Sequence, residues 1–289
     1  MDLVLQLLVN GVINGSHYAL LGIGFGIIFG PTKITHFAYG PIFAVGAYGC
    51  WASVAWLGLP VPAAALAGVL AAAGVGALSY LWLYRPFERR GSSHLVVLIA
   101  SLGLFITLEN LIGIVFGTDT KVVPGLSPDI FLWGPVVVTS IQLWQVGALA
   151  GIALALFAFL RRSRHGKALM AMTDNGEMAQ IIGIDTVRVS LTAFAVGSAV
   201  AAVPAILILL KEGATPHMGF IAVFMAFVAV IVGGIGSFRG AIIGGYAVGI
   251  VENIGMWKLP TEWQSTIAFV VLFLILLFKP SGLFGRRVR

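Results

Sequence analysis

Long apolar runs, each separated from the next by a short polar or glycine-rich stretch, fill most of the chain. A helix that crosses a membrane needs about 20 predominantly apolar residues, and runs close to that length recur along the sequence. The pattern predicts an all-α, polytopic transmembrane helical bundle with about nine membrane segments. These segments cover residues 3–29, 37–57, 61–84, 94–117, 140–160, 189–210, 220–236, 240–257 and 263–279.

Two of these runs are interrupted near their beginnings, one by glycine and proline and the other by glycine. The second run follows Pro31 and starts around Gly40 and Pro41, and the eighth lies in the glycine-rich stretch Gly233–Gly249. An offset of 200 residues aligns Gly40 with Gly240, as expected for an internal inverted repeat with broken or re-entrant helices. Shared glycine and alanine composition explains the matches equally well. Under the repeat hypothesis, segments 2 and 8 begin as half-helices that flank a central path.

Composition and charge define the class of protein and its orientation. The chain has 59% hydrophobic and only 10% charged residues, so it is not a soluble globule. Its formal charge of +6 does not indicate nucleic-acid binding, because the basic residues cluster between apolar runs. When the nine segments cross the membrane in alternating directions, 14 of the 17 basic residues fall on one side. These are Lys33, Arg239 and the basic residues of 84–94, 161–188 and the C-terminal tail. The positive-inside rule predicts that this side is cytoplasmic, with the N-terminus outside and the C-terminus inside.

The longest polar connection, residues 161–188, contains a segment that predicts a docking helix. Asp174 and Glu177 have capping-box spacing, which predicts a helix that starts at Asn175. Met178, Ile181 and Ile182 then share one face of this helix, while Glu177 and Gln180 lie off it. An apolar face at this position must be buried against lipid headgroups, the protein's own spans or another protein.

No residue pattern in the chain predicts catalysis, a metal site or a bound cofactor. A phosphate-binding Walker loop is lacking, and the five histidines have no metal-ligand spacing. The most informative polar residues at membrane depth are Asn14, Ser16 and His17, for which a structural role and contact with substrate are equally plausible. For Glu109–Asn110 and Glu252–Asn253, structural hydrogen bonding, or closeness to the outer interface, ranks above contact with substrate.

Five stretches together resemble the shorter of the two permease subunits of branched-chain amino-acid ABC importers. They are Asn10–Gly30, Thr35–Tyr48, the connection up to Leu207, Val230–Gly245 and Leu276–Gly285, in the family's order. The resemblance implies a single transmembrane permease domain over residues 1–289, within which residues 161–188 form a cytoplasmic coupling loop. Tyr39 stands where the family usually has a histidine, so no role of that histidine is carried over.

The resemblance also implies partners and site residues. The implied importer, in a bacterial or archaeal cytoplasmic membrane, combines two permeases, two cytoplasmic ATPase subunits that use ATP, and an external binding protein for an amino acid. Glu177, Ala179 and Gly183 match the coupling pattern Glu-x-Ala-x-x-x-Gly through which such permeases contact their ATPases. The predicted ATPase-coupling residues are Asp174, Glu177, Met178, Ala179, Ile181, Ile182 and Gly183. The predicted translocation path includes Asn14, Ser16, His17, Phe37, Gly40 and Gly240.

Three alternatives remain open from the sequence. Related permeases carry urea or short amides instead of branched-chain amino acids. A self-sufficient secondary transporter would need ion-coupling acids near the midplane, where Glu109 and Glu252 are poorly placed. In a passive channel, which needs no ATPase, the coupling loop would have no function. Genes for ATPases, a second permease and a secreted binding protein next to this reading frame would favour the importer.

Overall fold

The computed structural model describes residues 2–125, 129–134, 136–279 and 281–284. Within these ranges the chain forms an α-helical bundle and one small β-hairpin. The tail arginines that contributed to the predicted orientation, and Pro128, Pro135 and Pro280, lie outside the described residues. The elements are α1 (Asp2–Thr32), α2 (Tyr39–Ala55), α3 (Val61–Ser79), a π-helical turn (Tyr80–Tyr84), α4 (Arg85–Arg89), α5 (His94–Phe116), β1 (Ile130–Trp133), β2 (Val136–Thr139), α6 (Ser140–Arg162), α7 (Arg164–Asp174), α8 (Gly176–Ile181), α9 (Thr186–Glu212), α10 (Met218–Gly233), α11 (Phe238–Gly255), a 3₁₀ turn (Thr261–Trp263) and α12 (Gln264–Phe278).

The lengths of the helices confirm a multi-pass membrane bundle but not nine full spans. Among the described residues, five rods are long and apolar enough to cross a membrane: α1, the continuous rod Val61–Arg89, α5, α6 and α9. Helices α10 and α11 pass the same test only together, and they are bent by 114° where they join. Helix α12 is a shorter apolar helix, and α2 has only 17 residues. The prediction of nine spanning segments is therefore not confirmed by length and apolarity.

The two ends of the bundle differ in character. At one end, here called the basic end, α4 and α6 end in arginine residues. The short helices α7 and α8 lie at the same end. At the other, here called the hairpin end, β1 and β2 pair antiparallel, with Ile130 opposite Thr139. The side-chain amide of Gln6 exchanges two hydrogen bonds with the backbone of Val137, which fixes the hairpin to the start of α1. The prediction of a purely α-helical chain missed this hairpin, because each strand has only four residues.

Small residues allow α1 to pack closely against its neighbours at the centre of the bundle. A Cβ atom at Gly249 of α11 would overlap the backbone of Gly15, and one at Gly197 of α9 would lie 2.6 Å from the carbonyl oxygen of Gly24. The residues of α1 from Ser16 to Phe25 are all buried. Glycines spaced four apart, such as Gly245 and Gly249, therefore serve as packing contacts between helices, as their spacing predicts.

Helices α2 and α10 begin inside the bundle and meet at their starting ends. The Cα atom of Gly40 faces the backbone of Gly219, and the approach is so close that a Cβ on either residue would overlap the other. Each helix follows a long helix after a short non-helical connection, residues 33–38 for α2 and 213–217 for α10. From this meeting point α2 runs to the hairpin end, where Trp56 stacks on Phe116, and α10 runs to the basic end.

The predicted correspondence between Gly40 and Gly240 is wrong. Gly240 lies in the bend between α10 and α11, where it packs against Gly233, and its N–H donates to the Ser237 side chain over 3.0 Å. Gly40 instead packs against Gly219. The 200-residue offset reflected a shared glycine-rich composition and not equivalent positions in the fold.

Candidate functional site

The polar connection forms two short helices, and the second begins one residue later than predicted. Asp174 is the last residue of α7, so the predicted capping box of Asp174 and Glu177 is wrong. The N-cap of α8 is Asn175, whose extended backbone lets its side-chain oxygen accept a hydrogen bond from Met178 N over 3.0 Å. The predicted helix over 174–184 is therefore only the six residues Gly176–Ile181.

The end of α8 explains why residue 183 is glycine. Ile184 N donates to Ala179 O and Gly183 N donates to Gln180 O, both over 3.0 Å. This pair of bonds is a Schellman motif, which requires a left-handed residue at the position after the C-cap. Gly183 has φ +88° and meets that requirement. Its conformation thus has a local structural cause, apart from any contact with a partner.

Helix α8 presents an apolar surface and is anchored by one buried side chain. Met178, Ile181 and Ile182 are exposed, and Ile181 keeps 77% of its surface accessible. Ala179, which the sequence groups with the coupling residues, is only 2% exposed and packs within the chain. Glu177 is exposed beside this surface. Three exposed apolar side chains on a short, doubly capped helix form a patch of the kind that marks an interaction site.

Helix α7 connects this patch to the core of the bundle. Its side chains Leu169 and Met172 are buried, and Thr173 lies against Gly30 at the end of α1. Partial burial lowers the pKa of Lys33, just beyond α1, while the carboxylate of Asp174 acts in the opposite direction. The end of α1 and the coupling segment are thus in contact and coupled electrostatically.

A cleft separates α7 from the helices beneath it. Its volume is about 170 Å³, and its walls include Ile23, Gly26, Met170, Thr173, Val230 and Phe238. Protein interiors leave few voids larger than a water molecule. The cleft lies between the coupling segment and the bend of α10 and α11, and it is lined by residues of both.

The polar residues predicted to line a path on α1 are used mostly inside the chain. The Asn14 amide nitrogen lies 3.4 Å from Asn253 Oδ1, and Ser16 Oγ lies 3.0 Å from the hydroxyl of Tyr246, both on α11. His17 is buried and meets the ring of Phe43 edge-on. The structure thus brings these three residues to helix–helix contacts of α1 with α11 and α2.

A buried polar network, missed from the sequence, fixes the connection that precedes α2. His36 Nδ1 lies 2.7 Å from the hydroxyl of Tyr84, which donates to Ser101 Oγ over 2.9 Å. Ser101 Oγ also accepts the backbone N–H of Phe37 over 2.7 Å. Phe37 is half-buried. Two of the predicted path residues, Phe37 and Gly40, therefore lie together at the start of α2. Tyr39 donates its hydroxyl to Leu21 O, which gives the residue that departs from the family pattern a structural role.

A second contact that the sequence did not predict joins α5 to the start of α10. His217 Nδ1 lies 2.5 Å from Glu109 Oε1, and the His217 side chain is 75% exposed. Asn110, which the sequence groups with Glu109, bonds only its own helix at Ile106 O. Glu109 and His217 are 108 residues apart in the sequence, so no local sequence pattern predicts their contact.

Comparison with known proteins gives consistent matches over the whole chain. A family model described as "Branched-chain amino acid transport system / permease component" matches residues 7–276. The chain is 35% identical over 298 residues to the high-affinity branched-chain amino acid transport system permease protein LivH of Escherichia coli, with 98% of this chain and 96% of that protein covered. It is 33% identical over 296 residues to the corresponding permease protein BraD of Pseudomonas aeruginosa, with the same coverage.

A solved structure shares the fold at low sequence identity. The structure of PsaBC from Streptococcus pneumoniae in complex with Fab matches with a TM-score of 0.53 and 13% identity, over 95% of this chain and 92% of that one. At this identity the match supports only the helical architecture. The sequence matches carry the assignment, and the chain belongs to the family of branched-chain amino acid transport system permease components.

Proposed function

We propose that this chain is a permease subunit of an ATP-driven importer for branched-chain amino acids, and that it forms the translocation path with a second permease subunit. The observation that carries the proposal is the exposed apolar patch of Met178, Ile181 and Ile182 on the capped helix α8. The relatives named as branched-chain amino acid permeases support the same class of substrate. On this proposal residues 1–289 form one transmembrane domain, and residues 161–188 are its cytoplasmic coupling loop.

The basic end is cytoplasmic in this proposal, and nine segments alternate across the bilayer. The positions of the basic residues support that orientation, with the N-terminus outside and the C-terminus inside. Helices α2 and α10 are half-helices whose connections complete their crossings, and an internal inverted repeat relates α1–α2 to α9–α10. In both pairs a short helix follows a long one after a non-helical connection, and the two short helices meet at Gly40 and Gly219, which supports this equivalence.

Two ATPase subunits bind at the cytoplasmic side, one on α8 of each permease, and an external binding protein delivers the amino acid at the hairpin end. ATP binds only to the ATPases. Glu177 lies at the edge of the α8 patch, while Asp174, Ala179 and Gly183 shape and anchor the helix instead of contacting the partner. The packing of α7 against the end of α1, through Thr173 beside Gly30, would carry a movement of α8 into the bundle.

The substitution Ile181→Glu tests this docking. Burying an isoleucine side chain contributes about 2 kcal/mol, so its loss alone weakens ATPase binding about 30-fold, and the buried charge adds to the loss. The matched control is Gln180→Glu, which introduces the same charge at an exposed neighbour off the patch. The measurement is the amount of ATPase that copurifies with the permeases and the rate of leucine uptake. Equal losses for the two variants, or none for Ile181→Glu, would contradict the proposed docking surface.

A further inference from the structure

The contact between the Glu109 carboxylate and the His217 ring lies below the hairpin end of the bundle. That end is marked by aromatic side chains, with Phe116 stacked on Trp56 and Lys121 placed over the ring of Trp51. Such aromatic side chains are typical of the membrane–water interface. Glu109 precedes Phe116 by seven residues on α5, which places it about 10 Å deeper along the helix.

At this depth the pair faces away from the chain's own core. The His217 side chain is 75% exposed and that of Glu109 is 17% exposed, so the pair lies at the edge of the core with the imidazole outermost. Ile106, one turn before Glu109, and Phe220, three residues after His217, are exposed apolar side chains. Ionisable side chains at membrane depth cost about 2.5 to 3.5 kcal/mol when lipid surrounds them, and they almost always face a protein partner or a water-filled cavity. On this reasoning the face of α5 and α10 that carries the pair is turned away from lipid, toward the second permease subunit and the space between the two permeases.

The position of His217 within the fold shows which other groups surround the pair. It directly precedes α10, whose second residue, Gly219, meets Gly40 at the start of α2. The ring of Phe105, on α5 one turn below Glu109, meets the ring of Phe220 edge-on at 6.4 Å. An acidic group, an imidazole and two apolar rings are thus gathered where two helices begin in the middle of the bundle.

We propose that this group forms a substrate-binding station on the translocation path for a zwitterionic amino acid with an apolar side chain. The Glu109 carboxylate accepts hydrogen bonds from the substrate ammonium. The His217 ring offers its Nε2 side to the substrate carboxylate, and Phe105 and Phe220 contact the apolar side chain. The inference rests on the proposed importer function and adds the residues that recognise the two charged ends.

The first experiment measures leucine uptake by the complete importer in proteoliposomes. Glu109→Gln keeps the size of the side chain and removes the charge, so we expect uptake to fall about tenfold, the loss carried by one charge-assisted hydrogen bond. Glu212→Gln is the matched control, because Glu212 pairs with Lys211 and not with a residue of this group. The double variant Glu109→His with His217→Glu restores an ion pair but reverses it. Recovery of uptake in that variant would overturn the proposal, because a purely structural pair tolerates reversal.

The second experiment asks directly whether the face meets water. The one cysteine of the chain, Cys50, is buried, so in a Cys50→Ala background a new cysteine is the only labelling site in this chain. His217→Cys should react with a membrane-impermeant thiosulfonate reagent in the assembled complex. Ile114→Cys lies about 140° round α5 from Glu109 and should not react. Protection of His217→Cys, or equal labelling of both, would overturn the proposal. Absence of leucine uptake in the wild type would instead refute the importer function, whatever the labelling shows.

Discussion

Replacing Gly40 with alanine should destabilise the protein, because this residue forms the tightest part of the α2–α10 junction. Besides overlapping the Gly219 carbonyl oxygen, the new Cβ would lie 2.9 Å from the Gly219 carbonyl carbon and 3.0 Å from the ring of Phe105. A backbone carbonyl cannot rotate away, so the two helices must move apart. Overpacking of this kind costs about 1 to 3 kcal/mol.

A gain in helix propensity partly offsets this cost. Alanine is favoured over glycine inside a helix by about 0.5 to 1 kcal/mol, so the net loss should be about 0 to 2.5 kcal/mol, and the loss relative to a glycine-to-alanine change without overpacking about 1 to 3 kcal/mol. Gly74→Ala on α3 is the matched control, since a Cβ there has no neighbour within 4 Å. That variant should be neutral or slightly stabilised.

The assay is the midpoint of thermal denaturation of the purified permease complex, measured together with leucine uptake. Gly40→Ala should lower the midpoint by several degrees relative to Gly74→Ala, and Gly219→Ala should do the same, because the contact is reciprocal. A Gly40→Ala protein as stable as the Gly74→Ala protein would refute the close junction of α2 and α10.

Two further substitutions test the local conformations around the coupling segment and the start of α2. Gly183→Val should reduce uptake, because a β-branched residue at φ +88° costs about 1 to 2 kcal/mol and destabilises the end of α8. Gly183→Asn should keep most of the uptake, because asparagine tolerates this conformation. Equal uptake by the two variants would argue against the Schellman motif. Ser101→Ala should lower the denaturation midpoint, because the Tyr84 hydroxyl and the Phe37 N–H lose their buried acceptor at a cost of about 1 to 3 kcal/mol. An unchanged midpoint would show that the network does not stabilise the connection before α2.

Much of the helical architecture could be predicted from the sequence because it depends on local composition. Apolar runs of membrane length fixed the positions of α1, α5, α6 and α9 to within a few residues. The exposed patch on α8 followed from helical periodicity over 178–182. The beginning of α8 could not be predicted, since Asp174 and Asn175 are both good capping residues. The choice depends on α7, whose buried face carries the helix through Asp174.

Features that depend on distant contacts were not accessible from the sequence. The contact of Gly40 with Gly219 has no signature in the sequence, and the alignment of Gly40 with Gly240 arose because in a glycine-rich chain many offsets give similar matches. The contact of Glu109 with His217 spans 108 residues and has no local signature. Asn14 and Ser16 were assigned to a path because they are polar at membrane depth, but they bond to α11. Membrane depth alone does not distinguish a polar residue between helices from one beside the path.

The central claim, that this chain is a membrane subunit of an ATP-driven amino-acid importer, is tested most directly by uptake in a defined system. The chain would be reconstituted in proteoliposomes with the second permease and the ATPases, and radiolabelled leucine would be supplied with the external binding protein. The account predicts accumulation of leucine that requires ATP and the binding protein and that disappears when this chain is omitted. Leucine uptake by this chain alone, independent of ATP, would contradict the account.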